Sequence, residues 1–316
     1  MTARLRELAD AEQLSLPFPG AGRTGERFRA LAAFAAEDTV LGRLVEAHTD
    51  AAAILHELGA PTPVAGEIWG VWAAEPPDPV LRAAPSGAGW VLDGRKLWCS
   101  GASICSHALV TARHGEERAL FAVSLSQPGV RPVPGTWHAV GMRESDSGAV
   151  DFEHVTATRV GEPGEYLTRP GFWHGAIGVA ACWYGSACAI VRPLHARAAA
   201  GRANEHALAH LGAVVSGLHA ARSALRAEAA AIDQETADPI AQRIRARAVR
   251  AVVEQAATEA IDRVGRALGA APLCLDAAHA RRVADLTVYL RQSHAETDLA
   301  ALGDDAGKED PSWLHL

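Results

Sequence analysis

Apolar and polar positions change their rhythm twice along this chain. From Thr24 to about Gly59 the spacing is helical. Thr24 is suited to cap a helix, Phe28, Leu31 and Phe34 keep to one face, and Leu41, Leu44, Ile54, Leu55 and Leu58 continue it to Gly59, a natural stop. A proline–glycine entry loop, LPFPGAG, precedes it. Between about Gly66 and Gly164 the text turns to short alternating runs with frequent Gly and Pro. Trp90–Trp98 reads as a hairpin with Asp93-Gly94 at its turn, because that pair supplies positive φ angles. The runs 108–112 and 119–125 flank the polar loop HGEER as a second hairpin, and Gly148–His154 reads as a further strand. From Pro170 to Gly303 helical spacing returns in four long segments. Asp238-Pro239 marks one start, with Asp as N-cap and Pro at the first helical position. There Ile240, Ile244, Ala248, Val252 and Ala256 predict the buried stripe, while Arg243, Arg247 and Arg250 lie off it.

The expected organisation is a short N-terminal helical region (1–65), a β-domain (66–165), a C-terminal helical bundle (166–303) and a mobile tail (304–316). The fold class is α+β: a central antiparallel, barrel-like β-domain between helices, ending in an antiparallel four-helix bundle.

Composition narrows the function. Half of the 316 residues are apolar, and a formal net charge of −7 argues against a nucleic-acid partner, which wants a basic surface. No apolar run reads as a membrane span of roughly 20 residues, and the first residues lack a signal-peptide core, so a cytoplasmic location is expected. The five cysteines are scattered and odd in number, which suits free thiols. His206 and His210 stand four apart without an acidic partner, so no metal site is expected. Gly-x-Gly-x-x-Gly is absent, leaving a Rossmann domain without support.

Four segments carry a family resemblance. GWVLDGRKLWCSGA resembles the Gly-x-x-Leu-x-Gly-x-Lys-x-Trp hairpin of the acyl-CoA dehydrogenase family. VGMRESDSGAVDFEHV resembles that family's next segment, Gly-x-Arg-x-(Ser/Thr)-x-(Ser/Thr)-x-x-Val-x-Phe. Arg282 and Asp285 stand where its last bundle helix carries Arg-x-x-Asp, and Val283–Leu302 looks like that C-terminal helix. Ala74-Glu75-Pro76 stands at its Thr-Glu-Pro flavin loop. The resemblance implies an oxidoreductase binding FAD. Trp98 would cover the flavin ring and Ser100 would hydrogen-bond near flavin N5. Ala74 would meet the pyrimidine edge through its backbone, Arg202 the diphosphate, and Gly269 the turn near the adenosine.

Departures from the pattern open alternatives. The position of the family's catalytic glutamate falls on Ser293, followed by His294, and the alternative position on the first bundle helix falls on Gly175, beside His174. A histidine can serve as general base near neutral pH. His294 with Ser293 is therefore the candidate catalytic pair, as in the similar acyl-CoA-dehydrogenase-like flavin monooxygenases. Three functions remain open: oxidation of an acyl thioester or related carbonyl compound, oxygenation with reduced flavin and O₂, or a non-catalytic subunit of a heteromeric acyl-CoA dehydrogenase. The expected partners are a small-molecule substrate and either further copies of the chain or a fuller homologue, with no nucleic acid and no membrane.

Overall fold

The computed structural model describes residues 1–87, 89–234 and 238–310. The chain forms two compact units. One holds Met1–Leu16 with Arg43–Phe172, and the other holds Pro17–Gly42 with the rest of the chain from Trp173.

The first unit carries α1 (Thr2–Asp10) and, after α2 (Thr24–Glu37) of the other unit, most of α3 (Thr39–Glu57). Asp38 separates the two helices, because its carboxylate accepts the Val40 and Leu41 N–H groups and starts α3 anew. Then come β1 (Trp69–Trp72), β2 (Arg82–Ser86), β3 (Gly89–Lys96), β4 (His107–His114), β5 (Glu117–Ser124), β6 (Val130–Val133) and β7 (Ala149–Val160), followed by the short α4 (Glu165–Thr168). The ring β4-β2-β3-β7-β5 closes through β4–β5 pairing, with β1 on β4 and β6 on β7. The result is a small closed barrel, antiparallel except that β1 and β2 run parallel to β4. Trp72, Leu92, Val110, Phe121, Val150 and Phe152 share one core cluster. Leu109, Leu120 and Val160 pack instead with Ala51, Ile54 and Leu55 of α3. Covered on two faces, β4 reads as a nearly unbroken apolar run.

The second hairpin is present with a tighter turn than the five-residue loop expected: His114 pairs with Glu117 around a two-residue turn. The first is not. Asp93-Gly94 lies inside β3, where the register against β7 shifts between Leu92 and Gly94. The same residues make a bulge, with Gly94 at φ +123° and any Cβ there 2.8 Å from the Val80 carbonyl.

The second unit holds α2, α5 (Gly171–Ala199), α6 (Glu205–Gln234), α7 (Pro239–Leu268), α8 (Ala271–Leu275), α9 (Ala277–Tyr289) and α10 (Glu296–Lys308). Helix α5 is long and apolar enough to cross a membrane, yet 72% of its apolar window is buried inside the protein. Gly185 lets it approach α2 closely, because a Cβ there would sit 2.0 Å from the Ala32 carbonyl oxygen. Ser186 then donates to the Ala35 carbonyl at 3.2 Å. The α2 start is held by α6: the Asp233 carboxylate accepts the Thr24 N–H and hydroxyl. Asp238 caps α7 as expected, accepting from Ile240 and Ala241 N–H.

Two readings of the helices are corrected. The buried stripe of α7 is Ala246, Val249, Val253, Ala256, Ala257, Ala260 and Val264, while Ile240 and Val252 are exposed. Four-residue steps drift around a 3.6-residue helix, and alanines carry the true face. The last helix is broken. After α9 a 3₁₀ turn (Leu290–Gln292) leads to extended Ser293 and to Ala295 at φ +46°, before α10 begins. Ser293 Oγ accepts the Ala295 N–H and the Asp298 carboxylate accepts the His294 N–H, satisfying the backbone outside a helix. Where a mobile tail was expected, 304–308 belong to α10, and Asp305 receives hydrogen bonds from Arg243 and Arg247. Residues 311–316 lie outside those described.

Candidate functional site

In the β-domain, the segment leaving β3 is stapled to the segment entering β7. Cys99 N–H donates to Gly148 O, Gly101 N–H to Ser145 O, and Ser103 N–H to the Asp146 carboxylate. Trp98 emerges from this clamp at φ +62°, unusual for a bulky residue, with its side chain largely exposed (58%). The Trp137 ring meets it edge-on at 6.0 Å, itself fixed by an N–H bond to Met142 O. Beneath Trp98, buried Ser100 lies 2.9 Å from Ser147 Oγ, which lies 2.8 Å from Ser145 Oγ, which donates to Met142 O at 2.7 Å. Strain of this kind at an exposed aromatic, backed by a fully engaged polar chain, marks a built surface.

Ala74 is exposed in the irregular stretch between β1 and β2. With Pro76, Val80, Lys96 and Arg113 it lines a small open cleft. The neighbouring Glu75 carboxylate gathers three cations: Arg118 at 3.1 Å, Arg113 at 3.7 Å and Lys96 at 3.9 Å. Lys96 is buried and donates to both Thr111 oxygens, at 2.7 and 2.8 Å. Burial pushes its amine down from the usual lysine range to about 8, against the opposing pull of Glu75.

In the bundle, Ser293 lines a second cleft with Trp173, Arg247, Arg250, Glu254 and Asp298. Arg247 stacks over Trp173 at 5.1 Å, and Arg250 stacks over Trp183 at 4.7 Å while donating to Ala176 O. Both carboxylates are engaged, Glu254 by Arg291 at 2.8 Å and Asp298 by the His294 backbone. His294 is not among the lining residues. Its exposed ring stands 3.5 Å from the Asp298 carboxylate. His174, on the first turn of α5, is only partly buried. Arg282 donates to the Ala36 and Glu37 carbonyls at the end of α2, and Asp285 lies 4.0 Å from Arg281.

Arg202 and Gly269 stand elsewhere, both exposed. The Arg245–Glu228 ion pair and the approach of Gly217 to Ala256 fix an antiparallel register between α6 and α7, so Arg202 and Gly269 share one end of that pair. The Ser293 cleft uses the other part of α7. At 1.5 Å per residue, Arg250 and Gly269 are roughly 28 Å apart along the axis.

Residues 78–155, the stretch containing Trp98, Ser100, Ser145 and Ser147, match the family model described as acyl-CoA dehydrogenase, middle domain. The chain belongs to the acyl-CoA-dehydrogenase-like fold. A dibenzothiophene monooxygenase from Rhodococcus erythropolis is 36% identical over 97 residues, covering 28% of this chain and 22% of the relative. That match spans less than a quarter of the relative's length. Among solved structures, the dibenzothiophene monooxygenase of Paenibacillus sp. A11-2 in complex with FMN and indole aligns at TM-score 0.79 and 18% identity, covering 96% of this chain and 89% of that one. Methanesulfinate monooxygenase from Pseudomonas fluorescens aligns at TM-score 0.80 and 19% identity, with coverage of 96% and 89%. These structural likenesses establish the acyl-CoA-dehydrogenase-like fold. The resemblance motifs had pointed to Trp98 and Ser100. They had not singled out the Ser145–Ser147 chain, Trp137, or the cleft formed by Trp173, Arg247 and Arg250. For the cleft, the only sequence signal was three arginines at helical spacing on α7.

Proposed function

We propose that this chain is a flavin-dependent monooxygenase that uses reduced flavin and O₂ on a small heteroatom-bearing or aromatic substrate. One contrast carries the reading: the segment that would face the flavin is held by an unbroken hydrogen-bond chain, whereas the place where the resembled dehydrogenases carry their glutamate falls on Ser293, whose hydroxyl accepts the Ala295 N–H. Similarity to monooxygenases of sulfur compounds supports it. When bound, reduced flavin supplies the electrons that activate O₂, one oxygen atom going to substrate and the other leaving as water.

The β-domain residues fit an isoalloxazine. Trp98 offers a flat, exposed aromatic face, and Ser100 an oxygen beside it. FMN is the better fit than FAD. The family's Phe-Gly after the diphosphate arginine is Glu205-His206 here, and its Gln-x-x-Gly-Gly turn reads Arg266-Ala-Leu-Gly269-Ala270, so little remains to hold an adenosine half. The cleft of Trp173, Arg247 and Arg250 is the candidate place for the substrate. His294, polarised by Asp298, would move the proton.

The test begins with the purified chain and equal additions of FMN and FAD, followed by gel filtration and identification of the flavin that travels with the protein. A separate flavin reductase and O₂ are then supplied with candidate substrates. FMN retention with O₂-dependent product supports the reading. Turnover with an artificial electron acceptor in the absence of O₂ would sink it in favour of dehydrogenation.

A further inference from the structure

The three-serine chain fixes which way hydrogens run. A hydroxyl oxygen 2.7 Å from a carbonyl oxygen must place its hydrogen between them, so Ser145 spends its one proton on Met142 O. The 2.8 Å contact between Ser145 and Ser147 can then be donated only by Ser147, and the 2.9 Å contact between Ser147 and Ser100 only by Ser100. Ser100 has no proton left to offer. Its oxygen is an acceptor only.

We propose that this chain makes Ser100 a redox-sensing hydrogen-bond acceptor that selects reduced over oxidised flavin. The inference rests on the reading above that Ser100 stands at flavin N5. In oxidised flavin N5 is a bare acceptor and meets Ser100 lone pair to lone pair. Two-electron reduction adds a hydrogen at N5, which Ser100 then accepts. Ser145 and Ser147 act through Ser100 and are positioning residues. Such a preference suits an enzyme that takes up reduced flavin made elsewhere and releases it oxidised.

The experiment measures binding of oxidised FMN, and of reduced FMN under anaerobic conditions, to the wild type and to Ser147→Ala, Ser145→Ala and Ser147→Thr. One hydrogen bond gained in one state and repelled in the other predicts about tenfold tighter binding of the reduced form by the wild type, or about +30 mV in a two-electron potential. Ser147→Ala leaves the Ser100 hydroxyl free to donate, so oxidised FMN should tighten and the ratio fall towards one. Ser145→Ala frees the Ser147 proton to turn towards Ser100 and should act in the same direction. It leaves Met142 O with its Trp137 and backbone donors. Ser147→Thr keeps a hydroxyl and should keep the wild-type ratio, which a purely structural role for the chain does not require. A ratio unchanged in both alanine variants, or a wild type that prefers oxidised FMN, overturns the inference alone. Failure of either flavin form to bind the wild type overturns the flavin assignment and the inference with it.

Discussion

The β-domain surface at Trp98 and the bundle cleft at Ser293 are built on opposite principles. Around Trp98 the polar groups are hydroxyls and backbone amides with one carboxylate, Asp146, held by hydrogen bonds between the segment leaving β3 and the segment entering β7. Around Ser293 the charged groups stand on helices α7 and α10, beside Trp173 of α5 and the break between α9 and α10. A network of short hydrogen bonds holds one geometry, whereas partly exposed ion pairs compete with water and counter-ions. The first region is therefore the more rigidly held of the two and the second the more adaptable.

The largest effect that would sharpen this contrast is at the bundle break. If His294 moves the proton, His294→Ala should slow turnover by roughly 10²–10⁴-fold with FMN affinity unchanged. Steady-state turnover and a flavin titration on the same preparation check both halves. Undiminished turnover removes His294 from the chemistry. Loss of flavin together with turnover would instead break the separation of the two regions.

A smaller effect probes Lys96, a buried cation of the β-domain. The Lys96 amine is depressed to about 8 by burial, so between about pH 8 and the ordinary lysine value near 10.4 the unfolded chain holds a proton that the folded chain has released. Stability contributed by this group therefore rises with pH across that window. Buried Cys99 and half-buried Cys105 act oppositely, since desolvation raises their thiols, Cys105 to about 12. The difference between wild type and Lys96→Met isolates the lysine. It should shift in favour of the wild type by roughly 1–3 kcal/mol from pH 8 to pH 10.5 in denaturant melts. A pH-independent difference would show that Lys96 stays protonated and that the β-domain carries a buried charge after all.

How much of this was legible in the sequence depends on how local the determinant is. Asp238-Pro239 and the turn between His114 and Glu117 are written within four residues, and both are present. Asp93-Gly94 is equally strong as a local signal, yet its meaning depends on β7 and on the approach of Val80, so a turn dipeptide became a bulge. The break at Ser293–Ala295 is stabilised by Asp298 reaching back four residues, which no helical periodicity reports. At the site, Trp98 and Ser100 were legible as motif positions. The direction of the serine chain was not, because it follows from three oxygen–oxygen distances across two strands. The cleft needs α5, α7 and the α9–α10 junction together, and only folding brings Trp173, Arg247 and Ser293 to one place.

The smallest effect tests whether the cleft's wall is held by charge alone. Asp305 on α10 takes a two-pronged bond from Arg243, at 2.7 and 2.8 Å, and a further bond from Arg247, the residue stacked on Trp173. Hydrogen bonding from Arg243 holds the Asp305 carboxyl below its ordinary range. A carboxylate so depressed stabilises the fold above its unfolded value near 3.9, and that contribution is lost as pH falls through the lower folded value. Asp305→Asn should therefore cost about 1 kcal/mol at pH 7, with amide exchange accelerated over Glu296–Lys308 and unaltered in β3 and β7. The wild type taken to pH 3 should begin to show the same local pattern. If β3 and β7 loosen in step with α10, the two regions unfold as one cooperative unit, and the division between a fixed seat and an adaptable margin fails. If α10 alone loosens, the cleft is the part of this molecule that substrate specificity can reshape without disturbing Trp98.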